Sequence, residues 1–224
     1  MTAAPSHSSQ RVGGRGALWD PDFGAGSRFD ALRGALDALG RHASFPAPEL
    51  IDEALGALAG IRFVRQPKVP RRRRRTPKDP ASMYDARIVN EGVVPTREGS
   101  WHDLMNALVW ATFPRAKLAL HTRQHGLVRI ARPGESLRRP RELDALALLD
   151  EGGVAVPASG AREPVVFGHA IYEGYVLGWP APVAAAFPVE GDSLDEAIAG
   201  VVAALRDPRE LRRLGVEPGI GADP

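Results

Sequence analysis

The segment from Trp101 to His125 constrains the fold most, because its pattern predicts two consecutive helices. Its first half has apolar residues at helical spacing, which form a stripe facing a core: Trp101, Leu104, Met105 and Leu108. Ser100 is a favourable N-cap for this helix. Pro114 breaks or kinks the helix. A second helix is expected from about 115 to 125, ending before Gly126.

Helical spacing and helix-stop residues recur on both sides of this segment. Ser27 is expected to cap a helix that ends at Gly40, and Pro48 to open a second one that ends at Gly60. A short helix over 84–89 and one within FGHAIYEGYV follow. Ser193 is expected to cap an amphipathic helix, and a last short one begins at Asp207-Pro208.

Shorter apolar runs predict a small amount of sheet. Extended segments are expected over 61–64, over VVF before the FGHAIYEGYV helix, and over 183–189. DEGG, from Asp150 to Gly153, contains a glycine pair that could turn a hairpin between two apolar runs. The expected fold class is therefore α+β, a predominantly helical single domain with five to seven helices around a small sheet or hairpin.

Composition along the chain predicts one globular domain with irregular ends. Residues 1–16 are small, polar and glycine-rich, so we expect a disordered tail. The globular domain is expected over 17–214, with a flexible tail over 215–224. Four prolines interrupt QPKVPRRRRRTPKDP, and residues 67–80 are therefore expected to form an Arg/Pro-rich loop inside the domain.

The basic residues are unevenly distributed. Nine of the 29 lysines and arginines lie between positions 62 and 78, where there is no acid, and the other 20 face 27 acidic residues. The remainder of the chain is thus net acidic, which argues against a protein that coats nucleic acid. Nucleic-acid contact through the Arg71–Arg75 loop remains an alternative.

Several classes of protein are disfavoured by what the sequence lacks. No run of about 18 apolar residues is present, and the first 16 residues lack the order of a signal peptide. We therefore expect a cytoplasmic protein with no membrane partner. The chain has no cysteine, so a metal site would use His, Asp, Glu or Asn ligands.

Polar residues at helical spacing are candidates for a site. His102 and Asn106 share a helix face, and His169 and Glu173 do so as well. His121 and HTRQH's second histidine are also four apart, but HTRQH lacks the glutamate of the zinc-protease motif. No GxSxG elbow or Walker loop is present.

The central block resembles a known family. Five elements within about residues 28–206 carry the resemblance: IRFVRQ, Tyr84 with Ile88, GVVPTREGSWHDLMNALVWATFPRAKLAL, ALALLDEGG and VFGHAIYE. In these elements the chain is similar to the uncharacterised bacterial family catalogued as domain of unknown function 3025. Many members have asparagine where this chain has His121. The resemblance implies no activity, but it groups eight residues into one candidate cluster: His102, Asp103, Asn106, Lys117, Asp150, Glu151, His169 and Glu173.

The leading interpretation is a hydrolase that uses this cluster with a divalent metal or for acid-base work. His102, Asp103 and His169 would be the metal ligands or proton-transfer groups, and Glu173 and Glu151 would orient them. Asn106 and Lys117, with Asp150 and Glu151, would bind a small anionic substrate. The alternative is a non-catalytic binding or scaffold protein with a structural polar network. The hydrolase requires His102 and His169 within about 12 Å of each other, because shared ligation needs bonds near 2 Å.

Overall fold

A computed structural model describes residues 18–66, 83–130, 140–158, 160, 163–178 and 183–215. The predicted tail over 1–16 and the predicted loop over 67–80, with Arg71–Arg75, lie outside the described residues, as do residues 216–224 of the predicted C-terminal tail. No helix in the described part of the chain is both long and apolar enough to span a membrane.

The described residues form eight α-helices and six short strands. The helices are α1 Arg33–Leu39, α2 Pro48–Ala59, α3 Tyr84–Glu91, α4 Trp101–Thr112, α5 Pro114–Ile130, α6 Arg141–Gly152, α7 His169–Leu177 and α8 Leu194–Ala204. The strands are β1 Arg62–Arg65, β2 Val93–Thr96, β3 Gly153–Pro157, β4 Val165–Val166, β5 Val183–Val189 and β6 Arg212–Gly215. The predominantly helical α+β class is confirmed, with one α-helix more than the expected maximum.

The strands form two separate sheets. Strands β1 and β2 pair in parallel, with Arg62 opposite Val93. The second sheet has the order β4-β3-β5-β6, in which β3 and β5 are parallel and the outer pairs are antiparallel. The predicted hairpin at DEGG is wrong, because α6 continues to Gly152 and β3 begins at Gly153.

Helix α4 lies at the centre of the core. Its apolar residues from Leu104 to Trp110 are almost completely inaccessible to solvent. It packs against α2 on one side and α7 on another, while α5 packs against α3 and α8. At its N-terminus, Trp101 stacks on Trp19 with ring centroids 5.2 Å apart. The polar residues of α4 are therefore held by a rigid, buried helix.

Local capping chemistry explains where several helices begin. The Ser100 side chain accepts a hydrogen bond from the Asp103 backbone N–H at 3.3 Å, and Ser193 caps α8 in the same way. The predicted cap at Ser27 is wrong, since Ser27 lies inside a 3-10 turn that starts after Gly26 and precedes α1. Helix α5 also continues past Gly126, because a glycine within a helix weakens it without ending it.

Candidate metal centre

His102 on α4 and His169 on α7 point their imidazole rings at each other. Their Nε2 atoms are 3.1 Å apart, and the rings are nearly perpendicular with centroids 4.5 Å apart. The packing of α7 against α4 brings these residues together, so the convergence that the hydrolase hypothesis required is present.

Each imidazole is held through its other nitrogen. His102 Nδ1 donates to the Glu173 carboxylate at 2.9 Å, and His169 Nδ1 donates to the backbone carbonyl of Asp150 at 2.8 Å. Both partners are pure acceptors, so both protons lie on Nδ1. In the neutral rings, the two Nε2 lone pairs therefore face each other. This arrangement is stable only when a proton or a cation lies between them.

Glu151 completes a group of three donor atoms. Its Oε2 lies 3.6 Å from His169 Nε2, and the donor atoms of Glu151, His102 and His169 all lie within 4.8 Å of one another. The His169 side chain is buried, the His102 side chain is 33 % exposed and the Glu151 side chain is 51 % exposed. Two imidazoles and one carboxylate form a common ligand set for a divalent transition-metal ion.

The close approach of the start of α7 to the end of α6 explains why His169 and Glu151 meet. A Cβ on Gly168 would lie 2.5 Å from the Glu151 carbonyl oxygen and from the backbone nitrogens of Gly152 and Gly153. Only glycine allows this approach, which places the first residue of α7 against the last turn of α6. The Gly168 N–H also donates to the Gly153 carbonyl at 2.9 Å. His169 is thereby fixed beside Asp150 and Glu151.

A buried ion pair lies behind His169. Lys117, on α5, has a fully buried side chain, and its Nζ donates to Asp150 Oδ1 at 2.5 Å. Burial alone would raise the pKa of Asp150, but Lys117 and His169 hold that pKa well below its ordinary value. Asp150 thus stays ionised, and its backbone carbonyl fixes the His169 ring.

The donor group opens into a pocket of about 320 Å³. The hydrogen bond to Glu173 raises the pKa of His102, although burial opposes this. The pocket is lined by Gln66, Tyr84, Asp85, Pro95, Arg97, His102, Asp103, Asn106, His121, Gln124, Ala147, Asp150, Glu151 and His169. Polar side chains from α3, α4, α5, α6 and α7 thus converge on one cavity.

A second polar cluster forms the wall of the pocket contributed by α3 and α5. The Tyr84 hydroxyl accepts a hydrogen bond from Asn106 Nδ2 at 2.9 Å, and His121 Nδ1 donates to Asp85 at 2.8 Å. Burial of its hydroxyl and the nearby Asp150 carboxylate raise the pKa of Tyr84, so the phenol keeps its proton. Burial lowers the pKa of His121, and the hydrogen bond to Asp85 offsets only part of this effect.

Six of the eight residues grouped from the sequence line the pocket: His102, Asp103, Asn106, Asp150, Glu151 and His169. Glu173 supports the site from behind, but its partner is His102 and not the neighbouring His169. Lys117 is committed to Asp150.

Asp103 is also committed to another residue. Its carboxylate accepts hydrogen bonds from the backbone N–H, Nε and Nη2 of Arg97, at 2.6–2.9 Å. Glu151 takes its place in the donor group. Sequence reasoning missed Asp85 and Arg97 as pocket residues. The signals available were their places in the sequence, since Asp85 directly follows Tyr84 and Arg97 lies in the GVVPTREGS run before Trp101.

Comparison with known proteins is consistent with the resemblance seen in the sequence. Residues 61–162 match the model of the family described as "Protein of unknown function (DUF3025)". The chain resembles that family over a range that includes His102, Asp150 and Glu151 and stops before His169 and Glu173. Neither a curated protein nor a solved structure matched the chain significantly.

Proposed function

We propose that this protein is a metal-dependent hydrolase whose divalent ion is held by His102, His169 and Glu151. The observation that carries the proposal is the opposition of the two Nε2 atoms at 3.1 Å while both Nδ1 atoms are engaged by acceptors. A divalent cation satisfies both lone pairs at once.

The distances support an ion of this kind. Zinc-imidazole bonds of about 2.0–2.1 Å at a near-tetrahedral angle place two ligand nitrogens about 3.3 Å apart. The observed 3.1 Å therefore requires only a small outward movement of the rings. The acceptors on both Nδ1 atoms are the outer-shell partners that metal-binding histidines use to fix ring orientation.

The chemistry expected of this ligand set is hydrolysis. His102, His169 and Glu151 would hold the ion and leave a position for water, and the chemistry supplied by the ion would be activation of that water towards a carbonyl or phosphoryl group. In this scheme, the Tyr84 hydroxyl accepts from Asn106, so its own proton would be available to a substrate in the pocket that Tyr84 lines. It would stabilise the negative charge that develops on the carbonyl or phosphoryl oxygen when water attacks the carbon or phosphorus.

The proposal changes the roles of two residues. Asp103 would position Arg97 at the pocket edge instead of binding the metal, since Arg97 already engages both of its carboxylate oxygens. Lys117 would not bind an anionic substrate, because its ammonium group is buried and paired. It would instead keep Asp150 ionised and in place behind His169.

The second candidate function is a scaffold without catalysis. The series of hydrogen bonds from Glu173 through His102 and His169 to Asp150 would be complete if the two Nε2 atoms shared one proton. The raised pKa of His102 favours that state. The open pocket beside the histidines favours the enzyme, since a purely structural network needs no cavity.

The test is elemental analysis of the full chain purified without an affinity tag and incubated with Zn²⁺, Mn²⁺ or Fe²⁺. We expect stoichiometric metal in the wild type and loss of most of it in His102→Ala and His169→Ala, with unchanged circular dichroism. His125→Ala is the matched control, since His125 is outside the donor group. Absence of stoichiometric metal from the wild type would overturn the proposal. Metal without turnover on ester, amide and phosphoester panels would favour the scaffold.

A further inference from the structure

The pocket wall next to the donor group carries two buried acceptors with no partner. Asn106 Oδ1 and His121 Nε2 have no hydrogen-bond partner within the described residues. Asn106 is 8 % exposed and His121 is 2 % exposed, and both line the pocket. The Asn106 amide nitrogen is used by Tyr84, and His121 Nδ1 is used by Asp85. Each side chain therefore has an unused acceptor, Oδ1 on Asn106 and Nε2 on His121, and Asn106 Nδ2 keeps a second N–H besides.

Unpaired buried acceptors are unfavourable unless a ligand satisfies them. Leaving such a group without a partner costs its full desolvation penalty, because nothing replaces the hydrogen bond to water that burial removed. Native structures contain few such groups, and two on one pocket wall point to a ligand that supplies hydrogen-bond donors.

The charges on this wall favour the same kind of ligand. The cations beside the pocket are already neutralised, since Arg97 pairs with Asp103 and Lys117 pairs with Asp150. The partner of Asp85 is His121, which burial keeps neutral. Among the described residues, no lysine or arginine pairs with the Asp85 carboxylate.

Helix α4 sets the distance between this pocket wall and the donor group. His102 and Asn106 are four residues apart on this helix, so their side chains are separated by about one turn, or 5–6 Å. A substrate could place its scissile group near His102 and a donor group near Asn106 at the same time.

We propose that the substrate carries a protonated amino group, which donates to His121 Nε2 and Asn106 Oδ1 about one helical turn from the metal, while the Asp85 carboxylate on the Nδ1 side of the His121 ring attracts its charge. This inference rests on the proposed metal centre and names the substrate class that it acts on, an acyl compound bearing an amine. It differs from the small anionic substrate expected from the sequence, because among its described residues the pocket offers a carboxylate that no lysine or arginine pairs with, and no free lysine or arginine.

The test uses three hydroxamates of matched length as metal-binding probes. These are γ-aminobutyric hydroxamate with a terminal ammonium, pentanoic hydroxamate with a methyl group, and glutaric monohydroxamate with a carboxylate. Their dissociation constants are measured by calorimetry on the metal-loaded full chain. We expect the ammonium probe to bind at least about tenfold more tightly than the methyl probe, and the carboxylate probe most weakly.

Asp85→Asn keeps an oxygen acceptor for His121 and removes the charge. We expect it to reduce the preference for the ammonium probe to about twofold or less, whereas the exposed Asp37→Asn leaves the preference unchanged. Equal binding of all three probes, or a preference for the carboxylate, would overturn this inference alone. If the chain retains no metal and binds none of the probes, the proposed function fails and the amine site fails with it.

Discussion

His102 and His169 are 67 residues apart in the sequence, yet their Nε2 atoms lie 3.1 Å apart. The contact exists only when α4 and α7 are packed against each other. Variants that unfold the chain will therefore lose the site as well, so a loss of metal reports on a single side chain only where the fold is intact.

The structure-based proposal and the sequence-based hypothesis differ in the third metal ligand, which is Glu151 in the proposal and Asp103 in the hypothesis. Glu151→Gln removes a charged donor, so we expect it to weaken metal affinity by at least about tenfold. Asp103→Asn is expected to keep the stoichiometry, because Asp103 is occupied by Arg97. Competition with a chromogenic chelator measures both affinities. The opposite ranking would restore Asp103 as the ligand.

Glu173 is expected to act on the metal through His102. Glu173→Gln keeps an acceptor for His102 Nδ1 but removes the charge that makes the imidazole more basic, so metal affinity should fall about 10–100-fold. Glu53→Gln, an exposed change on α2, is the control. A Glu173→Gln affinity within twofold of the wild type would show that this hydrogen bond does not support the site.

Gly168 is expected to tolerate no side chain. Ala at this position would press its Cβ against the backbone of α6, and overpacking of this kind costs about 1–3 kcal/mol or more. Gly34→Ala on α1 is the matched control, since a Cβ there meets nothing within 4 Å. Urea unfolding measures both changes. Equal free energies of unfolding for the two variants would contradict the close approach.

His121 is expected to make stability depend on pH. Its pKa is below the ordinary 6.5 in the folded state because of burial, with Lys117 acting in the same direction and Asp85 and Asp150 opposing it. The unfolded chain therefore binds a proton that the folded chain does not, and stability is lost as the pH falls below about 6.5. Its contribution is fully present above that pH.

The measurement is the free energy of unfolding of the wild type and of His121→Gln between pH 7.5 and 5. The wild-type curve is expected to be steeper by up to about 1.4 kcal/mol per pH unit below pH 6. Other titrating groups are present in both proteins, so their effects cancel in the difference. Parallel curves would mean that His121 takes up its proton in the folded state.

Helix ends were predictable where local chemistry sets them. Gly60 and Gly92 end α2 and α3 in left-handed conformations that favour glycine, and Ser100 and Ser193 cap their helices. The end of α6 was not predictable in this way. Two glycines after Asp150-Glu151 resemble a turn, but burial of Leu146 and Leu149 keeps the helix intact up to them.

The site was predictable as a set of residues but not as a set of pairs. Helical spacing suggested that Glu173 orients His169, because the two are four apart. In the structure Glu173 binds His102, which comes from a different helix. The orphan acceptors Asn106 Oδ1 and His121 Nε2 also depend on tertiary packing, which spacing along one helix cannot specify.

Helix α6 passes into strand β3 without an intervening residue. One extra residue there would rotate Asp150 and Glu151 by about 100° around the helix axis, or would exchange the two faces of the strand. The segment is therefore fixed in length. Among related sequences, insertions and deletions should avoid positions 152 and 153, and an alignment gap at this junction would mark a relative that lacks the proposed metal centre.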